Sequence, residues 1–171
     1  MPSRGSCGPS RSRTADAGAR CQNPIVGTNS EWGMTPQQSI ERECARRGRA
    51  DVIAGCRALV RGEQVDPDLL VALGGPAARK FLDGAVHDDT YWLRVWGARG
   101  LLWVWDDAAR PEVILAIQDP AWRVREMGLK VIARHLIGDL VTEVAAARHD
   151  PVPRVRHAAD RALTALTASG E

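Results

Sequence analysis

The chain has 171 residues and a formal net charge of +2, a length that leaves room for one domain. Four of its 23 Lys and Arg residues and two of its 21 acidic residues precede residue 34, so residues 34–171 carry no net charge. A body without net charge argues against a large phosphate-binding surface, although one basic face is compatible with that balance. No run of about 18 apolar residues and no apolar leader segment occurs, so we expect a cytoplasmic protein without membrane contact.

Residues 1–33 differ in composition from the rest of the chain. They combine four arginines with Gly, Ser, Pro and Ala, and hardly any large apolar residue precedes Ile25. Such a segment buries too little surface to offset its ordering entropy, which predicts a disordered tail. Because Met34-Thr35-Pro36 opens the first helical pattern, a start at Met34 is the alternative, with residues 1–33 as a mis-assigned extension.

Residues 34–86 predict short helices that do not follow the register of the repeat described below. These helices are expected over 39–47, 50–61, 68–73 and 77–85, separated by Gly48, Gly62 and Gly74-Gly75-Pro76. We interpret them as a divergent N-terminal helical cap, because the end unit of a stacked array exposes one face to water.

The C-terminal half contains a motif that recurs every 31 residues. Asp119-Pro120-Ala121-Trp122-Arg123-Val124-Arg125 returns as Asp150-Pro151-Val152-Pro153-Arg154-Val155-Arg156, and an imperfect copy begins at Asp88. A period of this size with apolar residues at helical spacing indicates stacked helical hairpins. Each copy begins with Asp, and in two of them Pro follows, so Asp119-Pro120 and Asp150-Pro151 are expected to start helices as N-cap and N1. The second helices are expected over 109–118 and 138–149.

Aligned on this period, the apolar residues form columns. Leu93, Val124 and Val155 share one column, and Leu101, Ile132 and Leu163 share another. A neighbouring column, Gly97, Gly128 and Ala159, holds small residues only, which predicts close approach of another helix.

At the D-P-x-x-R-V-R-x-x-A-x-x-A-L pattern from Asp150 to Leu163, the chain resembles the HEAT-like repeat superfamily of phycocyanobilin-lyase type. The resemblance covers about residues 76–168 and implies an all-α, right-handed α-solenoid over residues 34–171. Members serve as adaptors, regulatory subunits, chromophore-lyase subunits and, in one branch, DNA-repair glycosylases. We therefore expect a non-catalytic, protein-binding adaptor without a cofactor. A nucleic-acid binder related to the glycosylases and a lyase-type subunit are the alternatives.

Tryptophans and arginines form the candidate binding surface. Trp92, Trp96 and Trp103 fall within about 40° of one another on a helical projection. With the basic residues of the same columns they predict a ridge suited to a partner peptide or a nucleic-acid backbone, composed of Trp92, Arg99, Trp103, Arg123, Lys130, Arg134, Arg154 and Arg161. The alternative is that Trp92 and Trp103 fill space beside the cap helices.

A second set of charged residues predicts a structural ladder. One Arg and one Asp recur in each unit, and the resemblance implies that the Arg pairs with the Asp of a neighbouring repeat. These residues are Asp88, Arg94, Asp119, Arg125, Asp150 and Arg156. Ligand binding by the same arginines is the alternative.

Catalytic and metal-binding motifs are absent from the sequence. There is no phosphate loop, no H-E-x-x-H helix and no C-x-x-C pair among Cys7, Cys21, Cys44 and Cys56. We expect the cysteines to be free thiols in a reducing compartment. Asp106-Asp107 follows Trp105 and is the one acid pair beside aromatic residues, which resembles the general chemistry of repeat-type DNA glycosylases. The same pair also suits a loop before the helix at residue 109.

Overall fold

The computed structural model describes residues 33–168, and over this range its regular structure is entirely helical, as expected for an all-α fold. The predictions for residues 1–32 and for the last three residues lie outside the described part. The α-helices of the described part are α1 (Pro36–Arg47), α2 (Arg49–Val60), α3 (Pro67–Gly74), α4 (Tyr91–Trp103), α5 (Arg110–Ile117), α6 (Trp122–His135), α7 (Val141–Ala147) and α8 (Pro153–Ala168). Three 3₁₀ segments, Gly75–Leu82, Asp107–Ala109 and Gly138–Leu140, precede or follow them.

Local sequence signals explain where the cap helices start. Thr35 and Gln38 form a reciprocal capping box at the start of α1, with Pro36 in its first turn. Asp66 accepts a hydrogen bond from the Leu69 amide at 3.1 Å and caps α3, which starts with Pro67. Each pair thus satisfies amides that would otherwise lack a partner at a helix start.

The helix predicted over 77–85 is wrong in type and position. The chain instead forms 3₁₀ turns over Gly75–Leu82. Gly75 and Gly84 take positive φ values of 70° and 75°, which terminate regular helix on both sides of this short segment.

The predicted Asp-Pro helix starts are both displaced by two residues. Helix α6 begins at Trp122 and α8 at Pro153, not at Pro120 and Pro151. The Asp119 and Asp150 side chains accept hydrogen bonds from the amides two residues later, both at 2.8 Å. They therefore stabilise a turn that leads into each helix, and the Pro lies in that turn.

Helices α4, α6 and α8, the first helices of the three sequence copies, pack against one another in chain order. On one side, α2 packs against α4, α5 against α6 and α7 against α8, so each first helix contacts a helix that precedes it. Helix α4 is also contacted by α3 and by the 3₁₀ segment that follows α3. Gly74 and Phe81, for example, both pack against Trp96. The cap thus covers part of α4, and no such cover lies over α6 and α8 among the described residues.

The aligned columns form the core between these helices. Val124 and Val155 are fully buried, as are Leu101 and Ile132. At Gly128 an added Cβ would lie 2.8 Å from Ile117 Cγ2, so α6 approaches α5 closely at the column of small residues. The 31-residue period therefore corresponds to equivalent packing positions on successive helices.

Candidate binding surface

Tryptophans and arginines of the three first helices alternate across one surface. The Arg123 guanidinium of α6 lies over the Trp92 ring of α4, with its carbon 5.4 Å from the ring centroid. It also lies 4.4 Å from the centroid of Trp122. The Arg154 guanidinium carbon of α8 also lies over the Trp122 ring, 5.3 Å from its centroid. The order Trp92, Arg123, Trp122, Arg154 thus crosses from α4 to α8, and each contact is a cation–π interaction.

A second contact of the same kind lies near the other end of the helices. The Arg134 guanidinium carbon of α6 is 5.5 Å from the Trp103 ring centroid of α4. Both tryptophan-arginine pairs between α4 and α6 come from aligned columns, because residues 31 apart occupy equivalent positions. The ring of Trp103 is half-buried, whereas Arg134 is exposed.

The region between the two rows holds a concave patch between α6 and α8. It has a volume of about 540 Å³ and is lined by Glu126, Lys130, Arg154, His157, Asp160 and Arg161. Glu126 is 8% exposed and pairs with Lys130 at 3.0 Å and with Arg154 at 3.4 Å. The acid orients two cations and leaves positive charge in excess over this patch.

We refer to this region as the basic tryptophan face. It is defined by the half-buried tryptophans and the cations that contact or adjoin them, which are Trp92, Trp103, Trp122, Arg123, Lys130, Arg134, Arg154 and Arg161. Five of these residues are basic, against the two acids Glu126 and Asp160 of the same patch, with Glu126 at its centre. The face is therefore basic on a body that has no net charge.

Arg99 was predicted on this ridge, and the structure places its guanidinium elsewhere. Its column mates Lys130 and Arg161 line the patch, but Arg99 donates a hydrogen bond to the Leu73 carbonyl at the end of α3. The physical reason is the cap, because α3 packs on the side of α4 that is equivalent to the open side of α6 and α8.

Trp122 is the residue of this face that the sequence reasoning missed. It aligns with Tyr91 in the preceding copy, and that column of two aromatic residues was the available signal. Tyr91 stacks on Trp92 with ring centroids 5.4 Å apart, so the aromatic row continues beyond Trp92.

The predicted ladder residues join consecutive units. Arg94 of α4 forms a bidentate pair with Asp119, and its Nη2 lies 3.2 Å from Oδ1. Arg125 of α6 pairs with Asp150 at 2.7 and 3.0 Å. The hydrogen bond from Arg125 holds the pKa of Asp150 below its usual value.

The two outer members of the ladder behave differently. Arg156 donates to the carbonyls of Asp150 and Pro151, at 2.8 and 3.1 Å, and makes no ion pair among the described contacts. Asp88 is exposed and receives no arginine there. The ladder therefore has two rungs, each between an arginine and the aspartate of the following unit.

The acid pair Asp106-Asp107 has structural partners. Asp106 accepts a hydrogen bond from the Ala108 amide at 2.8 Å, and Asp107 lies 3.3 Å from both Trp105 Nε1 and Arg110 Nη2. These contacts fit the loop that leads into α5. The neighbouring His135 stacks on Trp105 and bonds to the Leu101 carbonyl, and burial lowers its pKa.

The described residues also bear on the presence of a metal site, a reactive cysteine and a membrane-spanning helix. No group of three His, Cys, Asp or Glu side chains among them is arranged to hold a metal ion. Burial raises the pKa of the Cys56 thiol to about 12, which makes it a poor nucleophile. Within the same residues no helix has the length and apolar character needed to span a bilayer.

Comparisons with family models, curated proteins and solved structures find no match to this chain. The resemblance to HEAT-like repeats therefore stays a prediction that depends on the sequence motif.

Proposed function

We propose that this chain is a non-catalytic binding module, and that its basic tryptophan face recognises an acidic segment of another protein. The observation that carries the proposal is the alternating row of Trp92, Arg123, Trp122 and Arg154 across three helices. It concentrates ordered cations on one face of a body whose charges balance overall.

Ordered arginines suit carboxylate recognition for an entropic reason. A guanidinium that already lies on an aromatic ring loses less rotamer freedom when it binds a carboxylate. Its planar fork then matches the two carboxylate oxygens. The excess of cations on the face gives electrostatic complementarity to an acidic segment, which favours fast and selective association.

The same contacts favour a protein over a nucleic acid. Proteins that hold single strands need free ring faces on which bases stack. Here the Trp92 ring contacts both Trp96 and Arg123, and the Trp122 ring contacts two guanidinium groups. Glu126 at the centre of the face also opposes a continuous track of phosphates.

We further propose that the units form a right-handed α-solenoid of HEAT-like hairpins in a cytoplasmic adaptor. The serial packing of α4, α6 and α8, each with a second helix at its side, supports the repeat architecture. The free thiols Cys44 and Cys56 support a reducing compartment.

The test compares a Glu-rich peptide with a DNA duplex as ligands at two salt concentrations. The double variant Arg123→Glu, Arg154→Glu is expected to bind the peptide at least about tenfold more weakly, because two attractive contacts become repulsive. The control Arg49→Glu, Lys80→Glu makes the same change of charge at two exposed cations away from the face, and it should bind like the parent chain.

Two outcomes contradict the proposal. One is equal weakening in the control, which would show dependence on net charge alone. The other is tighter binding of the duplex with a steep salt dependence that the double variant loses, which would favour the nucleic-acid alternative. Affinity capture from the native host, with and without nuclease, then identifies the partner.

A further inference from the structure

A second cavity lies at the opposite end of the described chain from α8, between the cap and α4. It has a volume of about 500 Å³, within the range of small-molecule sites. Its wall is built by α1, by the end of α3 with the turns that follow it, and by Arg99 of α4. Apolar side chains supply part of this wall, among them Met34, Val71, Leu73 and Pro76.

Basic residues exceed acidic residues in this wall. Four arginines line the cavity, Arg42, Arg46, Arg79 and Arg99, against Glu43 and Asp68. Arg46 is neutralised locally, because its Nη2 and Nε lie 2.6 and 3.0 Å from the Glu43 carboxylate. Arg42 and Arg79 are exposed at the mouth and pair with no acid of the described residues.

Arg99 is the unusual member of this group. It is half-buried, its guanidinium bonds to the Leu73 carbonyl, and its Nε is enclosed without a partner in the described chain. No described carboxylate faces it, and burial lowers its pKa. A partly buried cation without a counter-charge is less well solvated than one in water, which favours a bound anion at such a site.

We propose that this cavity binds a small organic carboxylate, with the carboxylate at Arg99 and an apolar body against α3. The fork of one guanidinium matches a carboxylate, and the apolar wall accommodates carbon atoms. A doubly charged phosphate fits less well, because Glu43 and Asp68 lie in the same wall. The site is separate from the basic tryptophan face and does not depend on the function proposed for that face.

The proposal is tested by calorimetric titration of the full chain with hexanoate, hexanol and inorganic phosphate. Hexanoate is expected to bind, with hexanol and phosphate at least about tenfold weaker. The Arg99→Met variant should lose hexanoate binding by at least about tenfold, whereas Arg148→Met, at an exposed position after α7, should bind hexanoate like the parent chain. The arginine Nε–H resonance that Arg99→Met removes should shift when hexanoate is added to the parent protein.

A structural role alone would not produce this pattern. Arg99 also caps the end of α3, so its variant is compared at a temperature at which helical circular dichroism is unchanged. If that variant does not fold, Arg79→Met at the mouth replaces it, with an expected weakening of about threefold. The proposal is overturned if hexanoate does not bind the parent chain, if hexanol or phosphate binds equally well, or if the folded variants retain full affinity.

Discussion

At the scale of single residues, Arg125 joins two consecutive units through four hydrogen bonds. Two go to the carboxylate of Asp150, and two go to the carbonyls of Asp119 and Pro120 at 2.8 and 3.0 Å. The Arg125 and Asp150 side chains are only 16% and 9% exposed, so solvent screens the pair weakly. The D-P-x-x-x-V-R spacing therefore encodes both the turn before a helix and the link to the next unit.

Replacing Arg125 by Met is expected to lower the free energy of unfolding by about 3 kcal/mol, because Asp150 stays buried without its partner. Urea denaturation of both proteins measures this loss. The matched control is Arg148→Met, which breaks a pair with Asp160 whose side chains are 58% and 51% exposed. We expect that control to change the free energy of unfolding by less than about 0.5 kcal/mol. Similar losses in the two variants would contradict a structural ladder.

The same pair predicts a pH dependence of stability. The pKa of Asp150 is lowered in the folded chain by its hydrogen bonds from Arg125 and the Val152 amide. A carboxyl with a depressed folded pKa stabilises the protein above its unfolded pKa of about 3.9, and this stabilisation is lost as pH falls through the folded value. We expect the difference in unfolding free energy between the parent and Asp150→Asn to be full at about pH 6 and to shrink below about pH 4.

Urea denaturation of both proteins across this pH range measures that difference. If the difference in unfolding free energy stays constant down to low pH, the charge of Asp150 contributes nothing to folding stability.

At the scale of elements, close helix contacts depend on glycines in the small-residue column. A Cβ at Gly97 would lie 2.7 Å from the Cys56 carbonyl oxygen and 2.8 Å from Leu59 Cβ, both in α2. Backbone cannot yield to such a contact as a flexible side chain can, so α4 and α2 would have to move apart.

We therefore expect Gly97→Ala to lower the thermal midpoint, with a loss of about 1–3 kcal/mol that exceeds the gain in helix propensity. Gly138→Ala is the matched control, because an added Cβ there meets no atom within 4 Å and its φ is not positive. Thermal unfolding followed by circular dichroism compares the two. A stable Gly97→Ala protein would show that α2 and α4 are farther apart than described.

The elements differ in how far the sequence could predict them. Copies 31 residues apart predicted the first helices α4, α6 and α8, because Val124 and Val155 occupy equivalent buried positions. The cap was predicted as helical, but its packing was not, since no period relates α1, α2 and α3 to the units. The 3₁₀ segment Gly75–Leu82 was missed because two glycine-containing turns outweigh the helix propensity of its alanines.

The candidate surface was predicted only where the period holds. The contacts of Arg123 with Trp92 and of Arg134 with Trp103 link aligned columns on adjacent helices. Arg99 departs from its column because α3 lies against α4, a long-range contact that leaves no local signal. Trp122 could have been predicted from the same period, because it is aligned with Tyr91, the residue before Trp92.

At the scale of the whole molecule, balanced charge and a basic face occur together because acids and bases are segregated. Many acids are paired within the structure, as Glu112 is with Arg57 and Arg61, at 3.0 and 2.5 Å. On the basic tryptophan face, in contrast, Lys130 and Arg154 share the acid Glu126, and the other acid of the patch, Asp160, pairs with Arg148 outside the face. This distribution leaves a localised attraction for acidic partners, whose range is about 10 Å at moderate salt.

The central claim is that acidic protein segments bind across α4, α6 and α8 at this face. The most direct measurement follows the indole N–H resonances of the described tryptophans by NMR while a Glu-rich peptide is added. The claim predicts saturable shifts at Trp92, Trp103 and Trp122, small shifts at Trp105, and loss of the response in the Arg123→Glu, Arg154→Glu variant. Shifts confined to Trp105, or an unchanged response in that variant, would contradict it.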